Sequence, residues 1–321
     1  MKTFYWLLKR EYWEHRGGFL WAPVIAGGIY LLLTLVALVS SLGNHGPIMM
    51  IGGRDLAWAI DHADPENLQK AAAVIDGIMM VAAVQVLVVT GFVMLFYFIG
   101  CLYNDRADRS ILFWKSLPIS NINTVLSKAV CGGLLVPAFS VLIGVTVGVL
   151  QLLIIATLLA FQHVNAWQLL LLAHPVHATA SLFSSIPLNA LWALPSIGWL
   201  MLCSSWSRTK PFLWAVLIPV VGGLMLTFSV LHPTGVNTIW MWKNIILRVL
   251  LSVFPGSGFF FEHGHMGNIG NDVDSNNPLA MISPLHTYPD LLSSPNLWVG
   301  VAAGAVMIAL AIWFRRVRDD S

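Results

Sequence analysis

The sequence predicts an all-α integral membrane protein with six transmembrane helices, and three observations lead to this prediction. The 321-residue chain is 57% hydrophobic and only 10% charged, whereas soluble domains carry about 25% charged residues. Its mean hydropathy is +0.77. Six apolar runs are each long enough to cross a bilayer core, which takes about 20 helical residues. A water-soluble globular fold is therefore excluded.

The six predicted spans differ in length, and the third raises the question of whether it is one helix or two. They cover residues 19–42, 74–102, 123–161, 178–206, 211–231 and 297–314. Gly148 alone is a weak break, so we predict one long third helix, bent at Pro137 where the proline ring removes a backbone hydrogen bond. The first run exceeds the core of a signal peptide, about 7–15 residues, and is predicted to remain as a span.

The distribution of cations predicts that both termini lie in the cytoplasm. With six spans, the segments on the N-terminal side of the membrane carry 13 of the 17 lysines and arginines, which agrees with the positive-inside rule. Splitting the third run would move Arg208, Lys210 and the C-terminal arginines to the outside. The net charge of +2 gives no indication of nucleic-acid binding, because the cations matter by position.

Two outer segments are large. Residues 43–73 are polar, whereas 232–296 begin with an apolar piece that contains Trp240 and Trp242. Because aromatic residues favour the membrane interface, we expect this piece to form helices that lie in or dip into it. The part through 268–278 is predicted to be a loop.

The N-terminal residues 1–18 are predicted to form an interfacial helix on the inner leaflet. Apolar and aromatic residues recur on one face, charged residues are available to the other, and two tryptophans lie two turns apart. The apolar and aromatic residues are Phe4, Tyr5, Leu8 and Tyr12. The charged residues are Lys2, Lys9, Glu11 and Arg16, and the tryptophans are Trp6 and Trp13. Gly17 and Gly18 are expected to let the chain turn sharply into the first span. The alternative is that 1–18 are only the positive flank of an ordinary span.

The segment YNDRADRSILFWKSLPIS, residues 103–120, combines charges with large apolar side chains. Asp105 and Arg109 are one turn apart, which favours a short helix, and Pro118 would end it. Ser120, Asn121 or Asn123 would cap the next span. Both faces of such a helix present apolar bulk. The residues alone leave open whether it rests on the membrane or docks on a cytoplasmic partner.

The order of these features resembles the permease subunits of ABC-2-type ABC transporters. The resemblance covers the chain as topology, from LLKREYWEHR through six spans, with both ends inside. As a residue motif it is confined to the loop after the second span. There it rests on Asp105, Arg106, Asp108, Arg109, Ser110, Leu117, Pro118, Ile119 and Ser120.

The resemblance implies a single permease domain, 1–321, that docks on cytoplasmic ABC ATPase subunits and works as a dimer with itself or a related permease. A coupling helix is expected at about 105–117, with a smaller inner contact at 207–211 and the N-terminal elbow helix nearby. The implied ATPase-coupling residues are Asp105, Arg106, Asp108, Arg109, Ile111, Phe113, Trp114 and Leu117, and those of the elbow helix are Phe4, Trp6, Arg10 and Trp13.

The sequence contains no G-x-x-x-x-G-K-[ST] phosphate loop, so the chain is predicted not to be an enzyme. It is expected to hold no cofactor, with ATP and Mg²⁺ bound by the partner. The resemblance implies a multi-pass protein of a cell membrane, the bacterial cytoplasmic membrane in particular, in contact with lipids. The exported substrate stays open.

Other chemistry receives little support from the sequence. Asp76 is expected at the outer surface, and Cys101, Cys131 and Cys203 are interpreted as small apolar fillers. His263 and His265 lack a recognised metal spacing.

Two rival functions remain: a membrane scaffold or regulator that moves no substrate, and a lipid-modifying enzyme that uses these histidines. The scaffold predicts a phenotype that survives a hydrolysis-dead ATPase, and the enzyme predicts loss of activity in His263→Ala.

Overall fold

The fold was analysed in a computed structural model, which describes residues 2–43, 50–51, 54–55, 65–108, 119–161, 175–228, 238–258 and 292–317. Helices make up nearly all of this part of the chain. They are α1 Lys2–Glu14, α2 Ala22–Gly43, α3 Pro65–Gly100, α4 Tyr103–Ala107, α5 Asn121–Val130, α6 Val136–Phe161, α7 Pro175–Trp206, α8 Pro211–Phe228, α9 Thr238–Met241, α10 Arg248–Leu251 and α11 Pro295–Val317. β1 Met50–Ile51 and β2 Arg54–Asp55 form a short antiparallel pair.

Within the described residues, five helical segments are long and apolar enough to cross a membrane. They are Gly17–Ser40, Ile75–Ala107, Asn121–Leu158, Ala178–Trp206 and Pro295–Val317. The remaining apolar run forms a shorter helix, Pro211–Thr227. The protein is therefore a multi-pass membrane protein. The sequence predicts six spans, and the one that is missing from these five is the run that forms the shorter helix Pro211–Thr227.

In the described part of the chain, three π-helical turns join helices end to end: Gly17–Trp21, Cys131–Leu135 and Trp242–Leu247. The second of them lies just before Pro137, so α5 and α6 form one helical segment, without a break at Gly148. A π-turn changes the local hydrogen-bonding pattern and is a recognised cause of helix bending. It supplies the irregularity near the proline where the sequence predicts a bend.

The passage from α1 into α2 differs from the predicted sharp turn. Gly17 and Gly18 lie in the first π-turn, and the Phe19 N–H donates to the carbonyl of His15 at 3.0 Å. Neither glycine has a positive φ. The chain therefore leaves α1 through helical backbone, and the special conformational freedom of glycine is not used here.

The largest apolar core lies between α3, α6, α7 and α11 and contains Phe98, Ile197 and Met201. A second cluster joins α3, α6 and α7 further along the bundle, around Met79 and Met80. Asp76 lies beside this second cluster, with only 1% of its surface exposed. The expectation that Asp76 lies at the outer surface is therefore wrong. The helix α3 begins at Pro65, nine residues before the predicted span, so Asp76 is packed within the bundle.

The apolar piece after α8 also packs into the bundle. It forms α9, a π-turn and α10, and Val253 just beyond belongs to the largest core. Phe254 lies edge-on to Phe92 of α3, with ring centroids 5.0 Å apart. Gly256 has φ +86°, a conformation that favours glycine. The predicted loop 268–278 lies outside the described residues.

Candidate functional site

Four buried charged side chains meet at one end of the helix bundle. Lys128 Nζ lies 2.9 Å from Glu11 Oε1 and 3.3 Å from Asp105 Oδ1, and Arg315 Nη1 lies 3.1 Å from Asp105 Oδ2. Each of these side chains is no more than 8% exposed. We call Glu11, Asp105, Lys128 and Arg315 the ionic cluster. It joins four elements that are distant in sequence: α1, α4, α5 and α11.

Helical geometry brings each charge to this end. Glu11 follows the buried Leu7 by four residues, so both side chains lie on the same face of α1. Asp105 comes just after α3 ends at Gly100, Lys128 lies two turns beyond the start of α5, and Arg315 lies in the last turn of α11. The ion pairs of Asp105 with Lys128 and Arg315 show that the end of α3, the start of α5 and the end of α11 lie at one end of the bundle.

The formal charges of the ionic cluster balance, with two carboxylates and two cations. Charges removed from water are stable only when they are paired and hydrogen-bonded. Tyr97 adds a further bond, since its hydroxyl donates to Glu11 Oε2 at 3.1 Å. Gly132 in the second π-turn makes room for the Tyr97 and Phe98 rings, because an added Cβ would lie 2.8 Å and 2.5 Å from them.

A second set of contacts ties α4 to the end of α7. The backbone N–H groups of Leu102 and Tyr103 donate to Ser204 Oγ at 3.1 and 2.9 Å. The Arg106 guanidinium donates to the carbonyls of Ser204 at 2.5 Å and Ser207 at 3.1 Å. A basic side chain that binds the last carbonyls of a helix satisfies groups that lack intrahelical partners. The short helix α4 is thus held between the ionic cluster and α7.

Replacement of Arg106 by methionine tests this second set of contacts. We expect a loss of about 1–2 kcal/mol in the free energy of unfolding, because two carbonyls lose a charged donor in a half-buried place. Thermal unfolding in detergent measures the change. Arg106→Lys keeps the charge but not the forked geometry and should lie between wild type and Arg106→Met. An Arg106→Met protein with wild-type thermal stability would contradict the assigned role.

The predicted coupling residues have different environments. Asp105 and Arg106 face other elements of this chain, and Asp108 is exposed at the end of α4. The remaining five lie outside the described residues: Arg109, Ile111, Phe113, Trp114 and Leu117. At the far side of that gap, Ser120 Oγ accepts a hydrogen bond from the Asn123 N–H at 3.2 Å. Ser120 is therefore the cap of α5, one of the three predicted alternatives.

The elbow residues lie mainly on the outside of α1. Trp6 and Trp13 are 60% and 56% exposed, with Lys9 Nζ 5.0 Å from the Trp6 ring centroid and Arg16 Cζ 5.9 Å from that of Trp13. Arg10 pairs with Glu14 at 2.9 Å, and Phe4 is half-buried. Exposed tryptophans beside cations suit headgroup depth. Glu11 lies on the buried side of α1, so its predicted place on the polar face is wrong.

The sequence alone predicts no site role for Glu11, Tyr97, Lys128 or Arg315. The sequence predicts Lys128 and Arg315 only as cations of the inner segments, although Lys128 falls within the predicted third span and Arg315 directly follows the sixth. An ionisable residue at such a place is itself a signal, because a charge within a membrane helix needs a partner. The signal indicates that partners exist without saying which they are.

Other candidate sites receive no support from the described part of the chain. It contains no group of three or more histidine, cysteine or acidic residues that would hold a metal ion. Cys101, Cys131 and Cys203 are free and buried, which agrees with their interpretation as apolar fillers. His263 and His265 lie outside the described residues.

Comparisons with protein families, curated proteins and solved structures give no match to this chain.

Proposed function

We propose that the chain is the transmembrane subunit of an ATP-driven exporter of the ABC-2 type, driven by separate cytoplasmic ATPase subunits. In this proposal α8 is a sixth span, both termini are cytoplasmic, and two permease subunits form the pathway. The observation that carries the proposal is the ionic cluster. It links the segment just before the proposed docking residues to α1, α5 and α11.

The cluster and the Arg106 contacts give a physical route for coupling. Transmission between sites needs packed or hydrogen-bonded elements that move as units. A force applied to residues after Asp108 acts on α4, whose Asp105 binds Lys128 and Arg315 and whose Arg106 binds the end of α7. Displacement of α4 would therefore be felt by α5, α7 and α11 together. The contact between Lys128 and Glu11 extends this link to the elbow helix.

The location of exposed cations supports the proposed orientation. Arg208, Lys210 and Arg316 are exposed near the ends of α7 and α11, at the same end as the ionic cluster. Exposed lysines and arginines are enriched on the cytoplasmic side of membrane proteins. A cytoplasmic ATPase would thus meet the end of the bundle that contains α4.

The decisive experiment is co-purification. The full chain, tagged and solubilised from its native membranes in mild detergent, should retain a protein with a phosphate loop. We expect Trp114→Asp to reduce the retained ATPase more than about tenfold, because loss of a central aromatic anchor costs about 2 kcal/mol or more. Quantitative mass spectrometry of the purified complex measures the ratio of the two chains.

Trp298→Asp is the matched control, since Trp298 is exposed at the opposite end of the bundle. It should leave the ATPase ratio unchanged. A wild-type chain that never retains an ATPase would overturn the proposed function. If an ATPase is retained but a hydrolysis-dead version of it leaves the cellular phenotype intact, the chain is the scaffold or regulator considered above.

A further inference from the structure

A groove of about 550 Å³ opens between the first π-turn and the half of α3 that leads to α4. Its volume is in the range of small-molecule sites, about 300–1,000 Å³. The groove extends along α3 from Val89 to Gly100 and reaches Asn104 in α4. Helical rise makes the part along α3 about 16 Å long. This is a long, narrow site within a membrane-spanning segment.

The long part of the groove is apolar. Phe19 forms buried floor, and Val93 and the half-exposed Phe92 and Phe96 form walls. Phe92 is fixed by Phe254, and the Phe96 ring stacks on Phe212 at a centroid distance of 6.2 Å. These contacts hold the walls in place independently of any occupant. Because the groove faces the membrane interior along α3, the matching occupant for this part is a hydrocarbon chain.

The end nearest the ionic cluster is polar. Glu14, His15 and Asn104 line it, and neither lysine nor arginine is among the described lining residues. The Glu14 side chain is 46% exposed and pairs with Arg10. A carboxylate has acceptor sites for more than one donor, so this pair leaves capacity for a ligand cation. The charge of the lining therefore favours a headgroup that carries an amine over one that is only anionic.

We propose that this groove binds one phospholipid with a primary-amine headgroup. One acyl chain lies along α3 between Val89 and Phe96, and the ammonium group lies at the Glu14 carboxylate. The bound lipid fills the space between the first π-turn and α3, so it stabilises the junction of the elbow helix with the bundle. The proposal depends on the membrane location of the chain and is independent of the export function.

Photo-crosslinking tests the proposal on the full chain. The chain is reconstituted in phosphatidylcholine vesicles that contain a trace of phosphatidylethanolamine with a diazirine on one acyl chain. Parallel vesicles contain phosphatidylglycerol with the same chain. After illumination, mass spectrometry of peptides should place the label mainly within 89–96. We expect the amine lipid to label this peptide about two- to fivefold more than the glycerol lipid, the range for one exposed ion pair.

Three variants separate the groove from ordinary lipid contact. Gly17 lines the groove, and a Cβ added there would meet nothing within 4 Å, so we expect Gly17→Leu to occupy part of the groove and to remove most of the label. Gly28→Leu is the matched control, because Gly28 is also open but lies on α2 outside the groove. Glu14→Gln should abolish the preference for the amine lipid while the acyl chain still labels 89–96.

Three results would overturn the proposal. The first is equal labelling of 89–96 and the other exposed spans, which indicates ordinary surrounding lipid. The second is stronger labelling by phosphatidylglycerol. The third is labelling that Gly17→Leu and Gly28→Leu reduce equally. Thermal unfolding of the variants checks that they are folded, and if Gly17→Leu is not, the exposed substitution Glu14→Gln still decides the headgroup assignment.

Discussion

Replacement of Lys128 by methionine is expected to destabilise the protein by about 3–5 kcal/mol. The ammonium group lies between Glu11 and Asp105, and both carboxylates are buried. Removing one partner of a buried ion pair leaves an unpaired buried charge. The free-energy cost of that charge exceeds the net contribution of the ion pair to stability. Typical proteins have only about 5–15 kcal/mol of stability. We therefore expect a large fall in the thermal midpoint in detergent, with much reduced yield of monodisperse protein.

Lys210→Met is the matched control for this substitution. Lys210 is a cation near the same end of the bundle, but its side chain is exposed. Its replacement should change the free energy of unfolding by less than about 0.5 kcal/mol. Equal thermal midpoints for Lys128→Met and Lys210→Met would show that the ionic cluster does not hold the fold together.

A double substitution separates loss of packing from loss of charge balance. Glu11→Gln in the Lys128→Met background removes the carboxylate that has lost its lysine partner, whereas Asp105 keeps its ion pair with Arg315. Contacting residues deviate from additivity by about 0.5–3 kcal/mol. We expect the second substitution to restore part of the stability lost in the first. If the two losses simply add, the cost of Lys128→Met comes from packing and not from unpaired charge.

Introduction of a methyl group at Gly304 is expected to disrupt the contact between α7 and α11. A Cβ at Gly304 would lie 2.5 Å from both the carbonyl carbon and oxygen of Leu194. On the other helix, a Cβ at Gly198 would lie 2.6 Å from the Gly304 carbonyl oxygen. Small residues allow membrane helices to approach at backbone distance. Since the obstructing atoms are backbone, they cannot rotate away, and the helices must separate.

We expect Gly304→Ala to lower stability by about 1–3 kcal/mol, as overpacking does in well-packed cores, and Gly304→Leu to lower it further. Thermal unfolding in detergent measures both. Gly28→Ala is the control, because a Cβ there meets nothing within 4 Å. That change should be neutral or stabilising, since alanine favours a helix by about 1 kcal/mol over glycine. Similar midpoints for Gly304→Ala and Gly28→Ala would contradict the packing assigned to this contact.

Much of the helical architecture follows from local sequence. Five of the predicted apolar runs overlap helical segments long enough to cross a membrane, because burying twenty apolar residues in lipid requires a helix that satisfies its own backbone. The third run is one helix because no charge or turn cluster separates its two halves around Gly148. The Ser120 cap is equally local, since the hydroxyl binds a backbone N–H three residues away.

The candidate site is a different case, because its members come from four distant parts of the chain. Helical spacing alone left Glu11 free to be placed on the polar face of α1. Its actual position depends on Lys128, 117 residues later in sequence, and on the Tyr97 hydroxyl. Asp76 was misplaced for a similar reason. Its burial depends on the helices packed around it, which are distant in sequence.

The sequence by itself determined that the chain is a helical membrane protein, where most of its long helices begin and end, and which segments concentrate charge. These properties depend on the free energy of moving each residue between water and lipid, which is local. Only the tertiary structure decided which charges meet, how α7 and α11 touch at glycine, and where a groove opens beside Phe92. Those properties depend on the distances between residues far apart in the chain, and hydropathy carries no information about them.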